Sequence, residues 1–127
     1  MKIKLTSIFV NDQEKARTFY TEVLGFVVKQ DMPAGNYKWL TVVSPEGPDD
    51  LELLLEPNIN PAAQAYQESL YTQGIPTTSF FVDDVQAEYD RMSKLGVVFP
   101  TLPSETEWGV LAVFDDTCGN LISIHQG

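Results

Sequence analysis

An internal repeat constrains the fold of this chain more than any other feature of its sequence. The stretch FVNDQEKARTFYTEVLGFVV, which begins at Phe9, parallels FVDDVQAEYDRMSKLGVVF, which begins at Phe81. Asp84 follows Asp12 by 72 positions, but the glycine near the end of each stretch is repeated after only 71, so the first copy carries one extra residue in between. A repeat of this length indicates two tandem units of similar structure.

Each copy begins with a short apolar strand and continues into an amphipathic helix. Apolar side chains recur at helical spacing in both helices: Ala16, Phe19, Tyr20, Val23 and Leu24 in the first, and Val85, Tyr89, Met92 and Leu95 in the second. Asn11 and Glu14 have the spacing of a capping box at the first helix. Asp83 and Gln86 repeat it at the second. A glycine follows each helix, where a left-handed C-cap is expected.

After each glycine the apolar pattern changes to alternation, which predicts strands. The strands are FVVKQ, YKWLTVV and LELLLE in the first copy, and VVF, VLAVF and LISIH in the second. A loop from Pro100 to Gly109 separates VVF from VLAVF. The pattern predicts an α+β fold of two βαβββ modules, 1–56 and 77–127. Residues 57–76 read as a linker with room for a short helix.

Alternate strand residues point to opposite faces, and the uniformly aliphatic face is expected to lie under the helix. That face is predicted to hold Ile8, Val10, Leu40, Val42, Leu51, Leu53 and Leu55 in module one, and Phe80, Val82, Leu111, Val113, Ile122 and Ile124 in module two. The remaining residues form what we call the second surface: Leu5, Ser7, Phe9, Trp39, Thr41, Val43, Glu52 and Leu54, with Thr77, Ser79, Phe81, Val110, Ala112, Phe114, Ser123 and His125. If the curved sheets close around a concave cavity, this surface is a ligand-binding wall; if the sheets pack face to face, it is filled.

The charge and composition exclude several classes of function. Eighteen acidic against eight basic residues give a net charge of −10, which disfavours binding to nucleic acid or to an anionic membrane. No apolar run approaches the roughly 20 residues of a membrane span, and the N-terminal residues lack a secretory signal pattern, so we expect a cytoplasmic protein. The single cysteine, Cys118, excludes an internal disulfide, and two neighbouring aspartates disfavour its thiolate.

The paired motifs FVND…FY…LGF and FVDD…LGV, with DDTCGNLI near the C-terminus, resemble the vicinal oxygen chelate superfamily. This superfamily includes glyoxalase I, extradiol dioxygenases and the bleomycin resistance proteins. The resemblance implies a homodimer and, in metal-dependent members, a divalent ion held by residues at the positions of Leu5, Glu52, Thr77 and Ser123. Only Glu52 has a side chain that ligates such ions strongly. We therefore expect no metal cofactor.

Four residues of the second surface and its borders have more than one interpretation. Glu52 would have a raised pKa and act as a base if it lay in an apolar cavity, whereas at the rim it would be solvated. His125 fits a hydrogen-bonded residue at a strand end, a polar ligand contact, or part of a relocated metal centre with Glu52 and Glu56. Trp39 fits the core or a stacking platform, and Trp108 fits a mobile lid or an interface residue.

Three functional hypotheses follow. The first is a metal-free protein that binds an apolar or aromatic small molecule on the second surface, with Trp108 included among the ligand contacts. The second is a glyoxalase- or dioxygenase-like enzyme, a lyase, isomerase or oxygenase, that uses a relocated metal or Glu52 as a catalytic base. The third is an interaction module whose second surface is packed shut.

Overall fold

The structure, a computed structural model, describes residues 1–127 and contains two compact units, Met1–Gln64 and Ala65–Gly127. The first unit contains β1 (Leu5–Val10), α1 (Gln13–Thr18), a π-helical turn (Phe19–Val23), β2 (Val27–Ala34), β3 (Tyr37–Val43) and β4 (Glu52–Pro57). Helix α2 (Pro61–Gln73) runs from the first unit into the second. The second unit continues with β5 (Thr78–Phe81), α3 (Val85–Lys94), β6 (Thr101–Thr106), β7 (Gly109–Asp115) and β8 (Leu121–Gln126). No helix is long and apolar enough to cross a membrane.

Each unit contains a four-stranded mixed sheet, and its strands and helix follow the order βαβββ along the chain. The first sheet has the strand order β1-β4-β3-β2, with β1 parallel to β4, and the second has the order β5-β8-β7-β6, with β5 parallel to β8. The helix after the first strand carries the chain to the opposite edge of the sheet, and three antiparallel strands then return so that the last strand lies parallel beside the first. The predicted α+β fold of two tandem modules is therefore confirmed.

The helix-side core of the first unit follows the predicted apolar alternation. Ile8, Val10, Leu40, Val42 and Leu55 are almost completely buried, together with Ala16 and Tyr20 from the helical segment. Leu51 is an exception, because β4 begins one residue later and the Leu51 side chain is 42% exposed. Burial of large aliphatic and aromatic side chains is the main source of stability in such a layer.

The extra residue of the first copy is taken up by the π-helical turn at Phe19–Val23. A π-turn accommodates one additional residue within a helix and shifts the side chains that follow it. Here Phe19 and Tyr20 remain buried, and the Gly25 that follows the turn has a positive φ of 82°. Gly96 occupies the matching place after α3 with a φ of 88°. The two helices thus end in the same left-handed conformation despite their different lengths.

The helix caps lie one residue later than the sequence pattern indicated. Asp12 accepts a hydrogen bond from the Lys15 amide through Oδ1 at 3.1 Å, and Asp84 accepts one from the Ala87 amide at 3.0 Å. The predicted capping boxes at Asn11 and Asp83 are therefore wrong. Aspartate is as good an N-cap as asparagine, so residue type alone did not distinguish the adjacent positions.

The strand predicted at 97–99 and the loop predicted at 100–109 are also wrong. The structure places β6 at Thr101–Thr106 and joins it to β7 by a tight hairpin turn at Glu107 and Trp108. Strand β6 is an edge strand, and nearly all of its residues are exposed. Neither face of β6 is well buried, so its sequence has no alternation of apolar residues. The apolar pattern therefore did not predict this strand.

Helix α2 lies inside the predicted linker and is anchored to the second unit by its side chains. The buried Gln67 amide donates to the Cys118 carbonyl and to Asn120 Oδ1, both at 3.1 Å. Asp116 in turn accepts hydrogen bonds from the backbone amides of Cys118 and Asn120. These bonds satisfy the polar groups of the connection between β7 and β8 and leave Cys118 fully buried.

Candidate functional site

The register of the first sheet brings the predicted second-surface residues of this unit onto one face. Leu5 lies opposite Glu52 and Ser7 opposite Leu54, while Thr41 pairs with Leu54 from the other side. Phe9, Trp39 and Val43 share this face by strand alternation. Thr41, Val43 and Leu54 are buried, Phe9, Trp39 and Glu52 are half-buried, and Leu5 and Ser7 are exposed.

Glu52 is the charged group at the centre of this arrangement. Its Oε1 accepts a hydrogen bond from the Thr41 hydroxyl at 2.7 Å and another from the Gln30 side-chain amide at 2.6 Å. Thr41 is fully buried and belongs to a central strand, so its hydroxyl is held in place. The two donors fix the position of the carboxylate above the middle of the sheet.

Gln30 reaches Glu52 because β2 contains a β-bulge at Lys29. Val28 pairs with Val42, but the next pair joins Gln30 to Thr41, so Lys29 is the extra residue. In a regular ladder Lys29 would lie opposite Thr41. Bulges commonly re-aim a side chain at a functional site. Here the bulge places a neutral amide, rather than an ammonium group, in hydrogen-bonding contact with the carboxylate.

The pKa of Glu52 lies below its ordinary value of 4.5. The hydrogen bond from Thr41 is the largest cause, the bond from Gln30 follows, and desolvation opposes both by a smaller amount. Lys29 lowers the pKa further through its charge but forms no ion pair with Glu52. Of the two alternatives for Glu52, the one with a raised pKa in an apolar cavity does not hold, since donors to the charged form outweigh desolvation.

Apolar side chains flank the carboxylate on the same face. Trp39 pairs with Met32 of β2, two residues along each strand from the pair formed by Thr41 and Gln30. Trp39 is half-buried and Met32 is 48% exposed. Gln30 and Met32 were not among the predicted residues, since no face of β2 was assigned from the sequence, and the bulge at Lys29 places both on the second surface.

The second surface of the second unit has a polar pair and an aromatic pair. Ser79 lies opposite Ser123, and their hydroxyl groups form a short hydrogen bond. Phe81 lies opposite His125, with 5.5 Å between ring centroids and 30° between ring planes. Phe81 is 77% exposed. The His125 ring thus packs on an aromatic ring and forms no side-chain hydrogen bond within the protein, contrary to the expected hydrogen-bonded strand end.

The predicted faces of β7 are wrong. Ala112 pairs with Ile124 and Phe114 with Ile122, which places both on the helix side with Val110, while Leu111 and Val113 share the second surface with His125 and Ser123. Phe114 is fully buried and contacts Phe99, which packs edge-on against Tyr89 of α3. Every residue of VLAVF is apolar, so the pattern itself did not select a face. The repeat offset of 71 failed because paired residues are separated by different numbers of positions: Val42 pairs with Leu53, 53 − 42 = 11 residues on, whereas Ala112 pairs with Ile124, 124 − 112 = 12 residues on.

Two further residues predicted as ligand contacts, Thr77 and Trp108, lie just outside the strand positions of the second surface. Thr77 precedes β5, and its hydroxyl donates to Asn120 Oδ1 at 3.3 Å. Trp108 occupies the β6–β7 hairpin turn with 76% of its surface exposed, and its amide donates to the Thr106 hydroxyl at 3.1 Å. A tight turn of this kind does not have the length of a mobile lid, so that interpretation of Trp108 is wrong.

A separate surface cleft of about 520 Å³ lies elsewhere on the first unit, between the start of α1 and the β2–β3 turn. Gln13, Tyr37, Lys38 and Ile59 are among its lining residues. It contains none of the predicted ligand-binding residues. Its walls are tied by the Gln13 side-chain amide, which donates to the carbonyls of Lys38 and Leu55. These bonds hold the start of α1 against β3 and β4.

Comparison with known proteins identifies the family. A model of the Glyoxalase/Bleomycin resistance protein/Dioxygenase superfamily matches residues 2–124. The chain belongs to this superfamily. It is 54% identical over 126 residues, 99% of both chains, to YurT of Bacillus subtilis (strain 168), described as an uncharacterized protein.

Two solved structures of similar length share the fold. The structure of UcmS2 is 31% identical with a TM-score of 0.85, over 100% of this chain and 98% of that one. The structure of TnmS3, described as an antibiotic binding protein from Streptomyces sp. CB03234, is 30% identical with a TM-score of 0.76, over 99% of this chain and 95% of that one. The likeness extends over the whole of this chain.

The side chains at the superfamily's metal positions do not fit a divalent metal. Leu5 offers no donor atom, and Glu52 contributes one carboxylate. The hydroxyls of Thr77 and Ser123 already bond to Asn120 and Ser79. No group of three or more His, Cys, Asp or Glu side chains that could hold a metal ion comes together in the protein. Transition-metal sites need several imidazole, thiolate or carboxylate ligands.

Proposed function

We propose that this protein binds an apolar or aromatic small molecule on its second surface, without a metal cofactor, and acts by binding rather than by catalysis. The observation that carries the proposal is the combination of a half-buried Trp39 with the fixed carboxylate of Glu52 on the same face of the first sheet. Glu52 stands alone as a strong ligand among the superfamily's metal positions, because Leu5, Thr77 and Ser123 occupy the other three. Apolar walls with a few placed polar groups are typical of small-molecule sites.

The similarity to TnmS3 supports the proposal, because a protein of the same fold and 30% identity is described as antibiotic binding. The exposed Phe81 on the second sheet supports it as well, since its aromatic ring offers a stacking surface. The concave cavity and the homodimer expected from the resemblance stay predictions. Light scattering at several protein concentrations tests the homodimer.

The properties of Glu52 argue against the catalytic alternative. A general base works best when its pKa lies near the operating pH, and donors to Glu52 move its pKa in the opposite direction. A carboxylate held ionised by two hydrogen bonds is better suited to orient or neutralise a ligand than to abstract a proton. Binding is therefore the function that the geometry supports best.

Tryptophan fluorescence and thermal unfolding test the proposal with a panel of aromatic, apolar and cationic compounds. The chain has two tryptophans, so Trp108→Phe leaves Trp39 as the reporter of the second surface, and Trp39→Phe is the matched control. A ligand at about 100 times its Kd stabilises the folded state by about 2.7 kcal/mol. We expect quenching or a spectral shift in Trp108→Phe, with a raised Tm. No response to any compound in either assay would contradict the proposal.

Elemental analysis of protein purified without chelators tests the metal-free part separately. We expect substoichiometric amounts of Zn, Ni, Fe, Mn and Co. A stoichiometric amount of one of these metals, lost together with ligand binding on dialysis against chelator, would contradict it.

A further inference from the structure

Glu52 presents one occupied and one unoccupied oxygen atom. Both protein donors, the Thr41 hydroxyl and the Gln30 amide, bond to Oε1. Oε2 accepts no hydrogen bond from any residue of the chain. A half-buried carboxylate whose orientation is fixed through one oxygen has its other oxygen prepared to accept a bond from a bound molecule.

Glu52 forms no ion pair with a cation of the chain, and the charge of Lys29 acts on its pKa less than the two hydrogen bonds do. The ion pairs of the first unit join Arg17 and Lys38 to Asp31, and Lys38 to Glu14. None involves Glu52, and the bulge gives Gln30 the position that Lys29 would take in a regular ladder. An ionised group in a partly desolvated place gains most from a partner of opposite charge, because charge-assisted hydrogen bonds are about twice as strong as neutral ones.

The Trp39 side chain lies on the same face of the sheet as the Glu52 carboxylate. The Glu52 carboxylate sits at the Thr41–Gln30 pair, and Trp39 pairs with Met32 two residues further along β3. Two residues of strand correspond to roughly 6–7 Å between the Cα atoms of Thr41 and Trp39. A molecule with an ammonium group on a short alkyl arm spans this distance when its ring stacks on the indole.

We infer that Glu52 Oε2 is the counter-ion for a protonated amine, so that the ligands preferred by the second surface are aromatic or apolar amines that are cationic at neutral pH. This inference rests on the proposed function and names the class of ligand for the same surface. The overall charge of −10 acts in the same direction, since it raises the local concentration of cationic molecules.

Two probes of matched size separate the contribution of the ammonium from that of the ring. Naphthylmethylamine is cationic at neutral pH, whereas naphthylmethanol has the same ring and a neutral hydroxyl group. Calorimetry or NMR titration gives both Kd values for the wild-type protein. We expect the amine to bind at least about tenfold more tightly, as expected for one charged hydrogen bond.

Four variants assign the preference to a residue. Glu52→Gln keeps an oxygen acceptor for Thr41 and Gln30 and should reduce the preference for the amine over the alcohol to about twofold or less. Gln30→Lys places an internal ammonium against the carboxylate and should have the same effect. Glu46→Gln, an exposed residue between β3 and β4, makes an equal change of net charge and should retain the preference. Glu56→Gln removes the second carboxylate on this face of β4, at the position that pairs with Phe9. This variant should retain most of the preference for the amine.

Each outcome decides between the inference and the proposed function. Equal binding of amine and alcohol to the wild-type protein, or a preference that survives Glu52→Gln, overturns the inference and leaves the proposed function standing. A preference lost in Glu56→Gln but not in Glu52→Gln overturns the assignment to Glu52. If neither probe binds and the compound panel is also negative, both proposals are overturned.

Discussion

Replacing Thr41 by valine should remove the larger of the two interactions that hold Glu52 ionised. Valine has nearly the shape of threonine, so the fully buried site stays filled while the hydroxyl donor to Oε1 is lost. No other buried group is left without a partner, because the carboxylate keeps Gln30 and is reached by solvent. The substitution therefore isolates one charge-assisted hydrogen bond.

The expected cost follows from the exposure of the acceptor. A hydrogen bond to a charged group contributes about 1.5–3 kcal/mol when both partners are buried. Glu52 is only half-buried, and water can replace part of the lost interaction, so we expect about 1 kcal/mol at pH 7. For a chain of this length such a change lowers Tm by about 4 °C.

The pH dependence gives the sharper test. Because the folded-state pKa of Glu52 is lowered, its stabilising contribution is full above the unfolded-state value near 4.5 and is lost as the pH falls through the folded-state pKa. The difference in unfolding free energy between wild type and Thr41→Val should therefore shrink as the pH is lowered from 7 to 3. NMR titration should show the pKa of Glu52 rising in the variant.

Thr41→Ser is the matched control, because it keeps the hydroxyl and loses only a methyl group. Its cost should not depend on pH. A Thr41→Val cost that is the same at pH 7 and pH 3, or a Glu52 pKa that does not rise, would refute the account of this carboxylate.

Three further predictions concern packing, backbone conformation and ionisation. Phe114→Ala should cost about 3–5 kcal/mol in urea denaturation, whereas Phe81→Ala should cost less than about 1 kcal/mol, and the reverse order would contradict the face assigned to β7. Gly109→Ala should destabilise by more than about 2 kcal/mol, because φ is 107° and a Cβ would collide with the Gln126 carbonyl; an unchanged Tm would contradict this. Tyr71 should ionise above its usual pKa of 10, because its hydroxyl donates to Asp115 and the phenolate is repelled by that carboxylate. Its contribution to stability should be full below pH 10 and disappear as the pH rises through the raised pKa; a spectrophotometric titration unchanged by Asp115→Asn would argue against the interaction.

The repeat and the period of apolar residues were sufficient to predict the two βαβββ units. These signals are strong because each helix stripe and each strand face must be buried on one side. The faces of β1, β4, β5 and β8 followed correctly, since apolar residues alternate there with polar ones such as Glu52 or Ser123. This part of the site was therefore predictable from residue types alone.

The errors arose where local backbone geometry changes the count of residues. The bulge at Lys29 places Gln30 and Met32 on the second surface, for which no residue of β2 had been predicted, and no residue type in VVKQDM indicates a bulge. The π-turn at Phe19–Val23 explains the one-residue offset of the repeat, which the sequence shows only as a gap. Register in an all-apolar strand such as β7 is decided by partners and connection lengths, so pattern alone gave the wrong face.

The ionisation of Glu52 could not be decided from the sequence, which left a raised pKa and a solvated carboxylate as alternatives. The neighbouring apolar residues did not decide whether Glu52 is buried, and the two hydrogen-bond donors that lower its pKa come from other strands. One donor depends on the bulge. A sequence can indicate that a carboxylate lies on an apolar face. Which side chains donate hydrogen bonds to it depends on the register of the neighbouring strands, which the sequence does not give.

Chemical-shift mapping with naphthylmethylamine is the most direct test of the central claim that the second surface of the first sheet binds a small molecule through Trp39 and Glu52. The account predicts saturable shifts at the Trp39 indole N–H, the Gln30 side-chain amide and the Leu54 methyl groups, with the Glu52 carboxyl carbon shifting in parallel. Absence of saturable shifts, or shifts confined to residues away from this surface, would contradict it.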